Sequence, residues 1–284
     1  MLTASTSTTM HYEQAQNLPA TDFKRLFGVK RQTFDAMVEV MRHAAGQRQK
    51  SSGSPKLSLE DQVLVALQYW REYRTYFHIA QDWGVSESTV CRIVQKVETE
   101  LIRHCRFRLP GKKSLLQAQI PETVVIDVTE SPIERPKRRQ RQFYSGKKKR
   151  HTFKSQVVVN LASGAITCTA HGKGRRHDLW LLRRSKVRFH RQTKGLGDRG
   201  YQGIHKLHAN TQTPRKKPPK GQLSTEDRRY NRTLARVRVI AEHINRSLKI
   251  FKILSERYRN RRRRFGLRCN LIAGLYNYEL GLAA

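Results

Sequence analysis

The chain is poor in acidic residues, and this shortage is its most informative absence. Of its 284 residues, 57 are Lys or Arg and only 22 are Asp or Glu, which gives a formal net charge of +35. Such an excess of one sign destabilises a compact state through self-repulsion, and solubility does not require it. A polyanionic partner, most simply DNA or RNA, would compensate this charge. A ribosome-like or merely adhesive basic protein is the alternative that charge alone leaves open.

Cysteine is also scarce. The four cysteines, Cys91, Cys105, Cys168 and Cys269, lie far apart, and no two of them form a CxxC pair. This spacing argues against a zinc site or a disulfide framework and fits a reducing cytosol. The polar N-terminus lacks the apolar segment of a secretory signal, and runs such as 157–159 are too short to span a bilayer. We therefore expect a cytoplasmic protein without a membrane segment.

The charge is unevenly distributed, which suggests separate domains. The first 119 residues hold 17 basic and 11 acidic residues, whereas the remainder holds 40 and 11. We interpret residues 1–17 as a disordered tail, 18–110 as a helical DNA-binding region, and 118–284 as an α/β domain. A stretch rich in Gly and Ser at 46–55 predicts a flexible connector inside the helical region.

Two stretches of the helical region share the pattern aromatic-Gly-Val-x-x-x-Thr-apolar, at residues 27–34 and 83–90. In each, a glycine ends one helical stretch and an amphipathic stretch follows, as in a helix-turn-helix. The second copy has the stronger helical periodicity, so we place the motif at about 59–103, with Ser86 as the N-cap of its last helix. The residues of that helix expected to face DNA are Ser88, Thr89 and Arg92. An ordinary helical bundle is the alternative, and the first copy favours neither interpretation.

Beyond residue 118 the pattern changes from helical to mixed. The predicted elements, in order, are strands at 123–128, 153–161 and 165–170, a helix at 177–184, a short strand before Asp198 and another after Ile204, and helices at about 225–251 and 265–280. This order predicts an α/β fold, an RNase H-like mixed sheet with flanking helices.

Three acidic residues stand in this basic domain at positions suited to metal chemistry. Asp127 ends a strand, Asp198 lies in a glycine-rich loop after another strand, and Glu242 lies on the long helix. Phosphoryl transfer commonly uses two Mg²⁺ ions held by carboxylate oxygens. Each acid also has a structural alternative. Asp127 would be a strand-end acid bonded to backbone and Asp198 an ordinary turn acid. Glu242 would be an ion-pair partner of Arg238 or Arg246 along the helix.

Four motifs in series resemble those of a known family. They are VVIDVTESPIERP, RHDLWLL, LGDRGYQGI and NRTLARVRVIAEHINRSLK. Over about residues 23–280 the chain resembles the DDE transposases of bacterial insertion sequences, which are related to the PIF/Harbinger group. The resemblance implies a metal-dependent DNA endonuclease and strand transferase that moves an element by cut-and-paste transposition. It also implies a helix-turn-helix that reads terminal inverted repeats, and it assigns the catalytic, metal-binding acids to Asp127, Asp198 and Glu242.

The same resemblance implies cofactors and partners. The cofactor is Mg²⁺ or Mn²⁺, as two ions, and the partners are the terminal repeats and the target DNA, both double-stranded. A homodimer or larger assembly on DNA follows from the need to pair two ends. The resemblance also implies action at the bacterial nucleoid, in the cytoplasm. Around the glutamate the family has Tyr, Arg, Glu and Lys; here Arg238 and Lys249 match, whereas Ala235 occupies the tyrosine position. Their spacing places Arg238 and Lys249 on the helix face of Glu242, where they would bind DNA phosphates.

A run of basic residues lies between the first two predicted strands. Residues 135–150 hold nine basic residues and no acid, and residues 257–264 add six arginines. We expect the first run to form a hairpin loop beside Asp127 that contacts phosphates without reading sequence. Phe143 and Tyr144 interrupt it and would stack on an exposed base. The DNA-contacting residues predicted in this loop are Arg138, Arg139, Lys147, Lys148 and Lys149, and a merely solvated loop is the alternative.

Three more acids and two other functions complete the expectations. Glu130 and Glu134 are near enough to Asp127 to be further candidates, and Asp178 is expected to cap the helix at 177–184 rather than bind metal. A catalytically inactive, domesticated DNA-binding regulator would need the charge and the helix-turn-helix but not the acids. A structure-selective nuclease of the same fold would cleave without specific ends and would not join strands.

Overall fold

The computed structural model of the chain describes residues 11–47, 55–117 and 121–283. The helices of the N-terminal part are α1 (Tyr12–Ala15), α2 (Ala20–Phe27), α3 (Arg31–Gly46), α4 (Leu59–Glu72), α5 (Tyr76–Asp82) and α6 (Glu87–Arg103). The strands that follow are β1 (Thr123–Pro132), β2 (Tyr144–Ser145), β3 (Arg150–Asn160), β4 (Ile166–Lys173), β5 (Lys194–Gly197) and β6 (Thr211–Gln212). The helices of this second part are α7 (Asp178–Ser185), α8 (Thr225–Lys249), α9 (Lys252–Ser255) and α10 (Phe265–Gly281). Across the described ranges, none of the helices has the length and apolarity to cross a membrane.

The predicted helix-turn-helix is formed by α5, a glycine turn and α6. Gly84 adopts a φ of +58°, a left-handed conformation that an L side chain rarely adopts. The Ser86 hydroxyl caps α6 by accepting the N–H of Thr89 at 3.2 Å. Val90 and Val94 are buried on the inner face of α6, as the periodicity predicted. The glycine and the serine cap therefore fix the angle at which α6 leaves the turn.

The first copy of the pattern forms the same turn, but the start of the helix that follows it contacts α10. Gly28 has a φ of +83° between α2 and α3. The start of α3 is held by Glu279 of α10, whose carboxylate accepts the N–H of Lys30 and, at 3.1 Å, the hydroxyl of Thr33. Lys24 of α2 pairs with the same carboxylate at 3.0 Å. The first copy thus joins the helical part to the last helix, with the start of α3 covered by that contact.

The sheet has the strand order β4-β3-β1-β5-β6 and is mixed. β1 and β4 run antiparallel to β3, whereas β5 runs parallel to β1 and β6 parallel to β5. β2 pairs with the first residues of β3. On one face Val125 and Leu196 pack against Leu234 and Ala241 of α8, and on the other Ile126 packs with Leu182 of α7. This arrangement confirms the predicted RNase H-like architecture.

Three predictions about the segments between elements need correction or extension. Residues 1–10 of the predicted tail, and most of the predicted connector, lie outside the described residues. Residues 11–17 are ordered, because Ala15 of α1 is buried and the N–H of Tyr12 donates to Asp61 at 2.9 Å. The segment before β1 packs on the sheet, because its residue Leu115 is buried against side chains of the sheet such as Ile126. The chain after Ile204 forms a 3-10 turn before β6 begins.

A buried carboxylate joins the two parts of the molecule. Glu98 of α6 is fully buried and accepts hydrogen bonds from Arg264 at 2.5 Å, from Arg268 at 2.6 Å and from the indole N–H of Trp70 at 3.1 Å. Arg268, only 2% exposed, also donates to the hydroxyl of Tyr258 at 2.8 Å. Because α10 packs on the sheet, this cluster fixes the orientation of α6 relative to the α/β domain.

We expect Glu98→Ala to destabilise the fold by about 3–5 kcal/mol, because it leaves buried guanidinium groups without their counter-charge. Urea denaturation measures the effect as a shift in midpoint. The control is Glu256→Ala, which removes an exposed pairing with Lys252 at 3.9 Å and should cost about 0.5 kcal/mol or less. Equal midpoints for the two variants would show that the cluster does not hold the domains together.

Candidate active site

Strand pairing places two of the three predicted acids side by side. In the parallel register of β1 and β5, Ile126 is the partner of Gly197. Asp127 follows Ile126 inside β1 and Asp198 follows Gly197 at the end of β5, so the two acids lie side by side at the same level of the sheet. The Asp198 carboxylate accepts the N–H of Gly200 at 2.9 Å, in the 3-10 turn that follows β5. The prediction that Asp127 ends its strand is wrong, because β1 continues to Pro132 through its pairing with β3, whereas Asp198 follows the end of β5 as predicted.

The Asp127 carboxylate is largely buried and is held by two residues of α8. Arg238 donates to Oδ1 at 3.2 Å, and the Asn245 side-chain amide donates to Oδ2 at 2.8 Å. Burial raises the pKa of Asp127 to about 6; the negative charges of Asp198 and Glu242 add to this rise, and the Arg238 guanidinium opposes it. All three predicted acids are thus close enough for their charges to interact, and their mutual repulsion favours a positive charge between them.

Glu242 and Lys249 belong to an open groove beside Asp127. Glu242 is exposed on α8, and it lines this groove together with Asp127, Arg246 and Lys249. The Lys249 ammonium lies 3.5 Å from the carbonyl oxygen of Glu130. Burial, helped by the positive charge of Lys148, lowers the pKa of Lys249. Lys249 therefore lies in the same groove as Asp127 and Glu242, as its position on the helix predicted, and its contact with a phosphate stays a prediction.

The donor set fits a divalent cation, although the three carboxylates are not closed around a single point. Within residues 11–47, 55–117 and 121–283, no group of three His, Cys, Asp or Glu side chains has the arrangement of a metal site. At Asp127, Arg238 and Asn245 each donate a hydrogen bond to one of the two carboxylate oxygens. The Oδ1 atom of Asn245 is buried beside this carboxylate and has no hydrogen-bond partner. Carboxylate and amide oxygens are the ligands that Mg²⁺ and Mn²⁺ favour.

Two acids expected to be secondary are used for structure. Glu130 accepts the hydroxyl of Thr152 at 2.7 Å and lies 3.8 Å from Lys154. Asp178 forms an ion pair with Lys154 at 2.8 Å, so the prediction that it caps the helix is wrong: it is the first residue of α7 and no side-chain cap is formed there. Asp178 instead lies beside the loop of Asp198, because a Cβ on Gly200 would meet its Oδ2 at 2.3 Å.

Asn245 and the role of Asp178 were both missed by sequence reasoning. Asn245 follows Glu242 by three residues and Arg238 by seven, so helical spacing alone places it on the same face of α8. That spacing is the signal that could have identified Asn245. No sequence signal marks the contact of Asp178 with the Asp198 loop, since only the packing of α7 against the sheet creates it.

The predicted DNA-contacting residues of the helix-turn-helix line the outer surface of α6. Ser88 and Arg92 are exposed, and Thr89 is half-buried because its hydroxyl lies 2.8 Å from that of Ser86. Arg92 and Thr89 line a groove together with Arg264, the arginine that binds Glu98. The rest of this groove is lined by three more cations, Lys56, Lys96 and Arg103, by one acid, Glu100, and by neutral side chains.

The basic loop between β1 and β3 is exposed at each predicted contact. These residues are Arg138, Arg139, Lys147, Lys148 and Lys149. The loop starts beyond Pro132, five residues along β1 from Asp127, and only its later part approaches the site, through the interaction of Lys148 with Lys249. Phe143 is 6% exposed and lies under the guanidinium of Arg262, so the prediction that it stacks on a base is wrong. Tyr144, at 42% exposed, keeps its ring accessible.

Comparison with known proteins identifies the class. The family described as "DDE superfamily endonuclease" matches residues 126–277, and the family described as "Helix-turn-helix of DDE superfamily endonuclease" matches residues 55–107. The chain therefore belongs to the DDE superfamily of endonucleases, a family that implies dependence on a divalent metal.

A relative is described in more detail. The chain is 55% identical, over 276 residues, to a protein of Microchaete diplosiphon described as "Probable transposase for insertion sequence element IS702". The alignment covers 97% of this chain and 100% of that protein. No solved structure matches the chain significantly. These findings confirm the predicted family and helix-turn-helix, whereas the relation to the PIF/Harbinger group stays a prediction.

We expect Asn245→Ala to weaken Mn²⁺ binding by about ten- to a hundredfold, because the Asp127 carboxylate loses the amide that orients it. Calorimetric titration of the protein with Mn²⁺ measures this affinity. The control is Ser247→Ala on the exposed side of α8, whose hydroxyl donates to the carbonyl of His243 and which should bind like the wild type. Wild-type affinity in Asn245→Ala would show that the amide does not prepare the site.

Proposed function

We propose that this protein is the DNA transposase of an insertion sequence, which cuts and rejoins phosphodiesters at the inverted-repeat ends of the element. The observation that carries the proposal is the register of β1 and β5, which sets Asp127 beside Asp198 with Glu242 across the groove. The relative described as a probable transposase, aligned along nearly the whole chain, supports the same conclusion.

In this proposal Asp127, Asp198 and Glu242 are the catalytic acids and hold Mg²⁺ or Mn²⁺, as a pair of ions. Such ions activate the attacking oxygen and stabilise the leaving oxygen of a phosphodiester. Asn245 orients the Asp127 carboxylate through its 2.8 Å hydrogen bond. Before a metal ion binds, Arg238 holds the other oxygen and favours the ionised form of this buried acid, a positioning role that differs from the phosphate contact predicted from its spacing.

The remaining cations bind the DNA. Lys249, beside the acids, binds a phosphate of the DNA end. The DNA backbone further out is contacted by the cations of the loop between β1 and β3, which are Arg138, Arg139, Lys147, Lys148 and Lys149. Ser88, Thr89 and Arg92 of α6 contact the terminal repeat in the major groove. Two element ends must be brought together for joining, so we propose a homodimer or larger assembly on DNA, acting at the nucleoid of a bacterial cytoplasm.

We expect Asp127→Asn, Asp198→Asn and Glu242→Gln each to lower excision at least about a hundredfold, because the three carboxylates act as one unit. The assay is excision of a marker placed between the two genomic flanks of the gene on a donor plasmid. The matched control is Glu226→Gln, an exposed acid in the first turn of the same α8, which should excise like the wild type. Thermal melting checks that all variants fold.

The two alternative functions give different results in the same assay. A domesticated regulator would bind the flanking DNA and excise nothing, in the wild type as well as in the variants. A structure-selective nuclease would cut DNA without the flanks and would join no strands. Equal excision by the wild type and the three acid variants would contradict the assignment of the site.

A further inference from the structure

A second basic groove lies on the α7 side of the sheet. The sequence from 179 to 197 holds six Lys and Arg residues and no Asp or Glu. In the structure this run and the segment after Ile204 form a groove whose apolar floor includes Leu182, Phe189 and Ile204. The cations along its rim are Arg183, Lys186, Arg188, Arg191 and Lys206.

These five cations have no counter-charge of their own. All five are exposed, and within the described parts of the chain none of their side chains forms an ion pair or a hydrogen bond. No residue that lines the groove, among those described, is acidic. By contrast, other arginines of this protein do find carboxylates, such as Arg74 with Asp82 and Arg106 with Glu39. An array of unpaired like charges around one concave surface favours a polyanion.

Helix electrostatics accounts for only part of the array. Arg183 lies in the last turn of α7 and Lys186 is its C-cap, where cations interact favourably with the helix dipole. Arg188 and Arg191 lie beyond the helix, and Lys206 comes from the 3-10 turn that follows the Asp198 loop. Cations from two separate stretches of the chain, and from both inside and beyond α7, therefore converge on this groove, which a helix-capping role does not explain.

The position of the groove separates it from the DNA-reading surface. Its floor residues Leu182 and Phe189 pack with Ile126 on one face of the sheet. The α8 helix packs on the opposite face, through Leu234 and Ala241, and α10 joins the helix-turn-helix through Glu98. The His190–Thr193 segment that leads into β5 borders the groove, and Asp198 follows the other end of the same strand. One short strand thus links the groove to the acid cluster.

We propose that this groove binds the backbone of a second DNA segment, the target duplex into which the cut end is joined. This rests on the proposed function, because joining requires two DNA segments at one set of acids. A terminal repeat held by α6 approaches from the α8 and α10 face, and the target lies along Arg183, Arg188 and Arg191 on the α7 face. Contacts of this kind are made to phosphates and are independent of sequence.

The test combines Arg183→Glu, Arg188→Glu and Arg191→Glu in the full-length protein. We expect excision from the donor plasmid to stay within about twofold of the wild type. Joining of the excised end into a target plasmid should fall at least about tenfold. For binding to a random-sequence duplex, the slope of the logarithm of the binding constant against the logarithm of the salt concentration should become shallower by up to about three, one for each lost phosphate contact.

The matched control carries the same change in net charge on exposed residues outside the groove. It combines Arg25→Glu, Arg108→Glu and Lys217→Glu, and it should join DNA like the wild type. Two results would overturn the proposal: a joining defect no larger than that of the control, or a loss of excision as large as the loss of joining. Failure of the proposed function itself would look different, because the wild type would then neither excise nor join. Thermal melting of both triple variants confirms that they fold.

Discussion

The parallel pairing of β1 with β5 is the constraint on which the site depends. It sets Asp127 and Asp198 side by side on neighbouring strands, where burial and the charge of Asp198 oppose the ionisation of Asp127. The protein answers with Arg238 and Asn245 from α8, which hold the Asp127 carboxylate from the side of the helix. The long helix α8 therefore covers one side of the site and also supplies the groups that bond to Asp127. Glu242 reaches the same groove because it lies on the same face of α8.

The helical part is tied to this frame by buried polar contacts rather than by a loose linker. Glu98 fixes α6 to α10, and Glu279 fixes the start of α3 to the same helix. Close packing adds to these contacts, because a Cβ on Gly274 of α10 would meet the carbonyl oxygen of Phe107 at 1.9 Å. A DNA duplex bound by the helix-turn-helix would consequently be held at a fixed position relative to the three acids.

Much of this arrangement could be predicted from the sequence, for identifiable reasons. The strand before Asp127, the glycine turn at Gly84 and the cap at Ser86 are set by residues close in sequence, so local patterns reveal them. The burial of Phe143 could not be predicted, because it depends on contacts with Arg262, more than a hundred residues away. The ion pair of Asp178 likewise depends on Lys154 of another element. Local pattern identified the acids, and only packing showed what holds them.

In the proposed function, Asp127, Asp198 and Glu242 hold divalent cations between them. The most direct measurement is anomalous diffraction from crystals of the protein grown with Mn²⁺. We expect a manganese peak in contact with the Asp127 and Asp198 carboxylates on the side of the groove lined by Glu242, with Arg238 displaced from Asp127. Manganese bound elsewhere, with the ion pair between Arg238 and Asp127 intact, would contradict it.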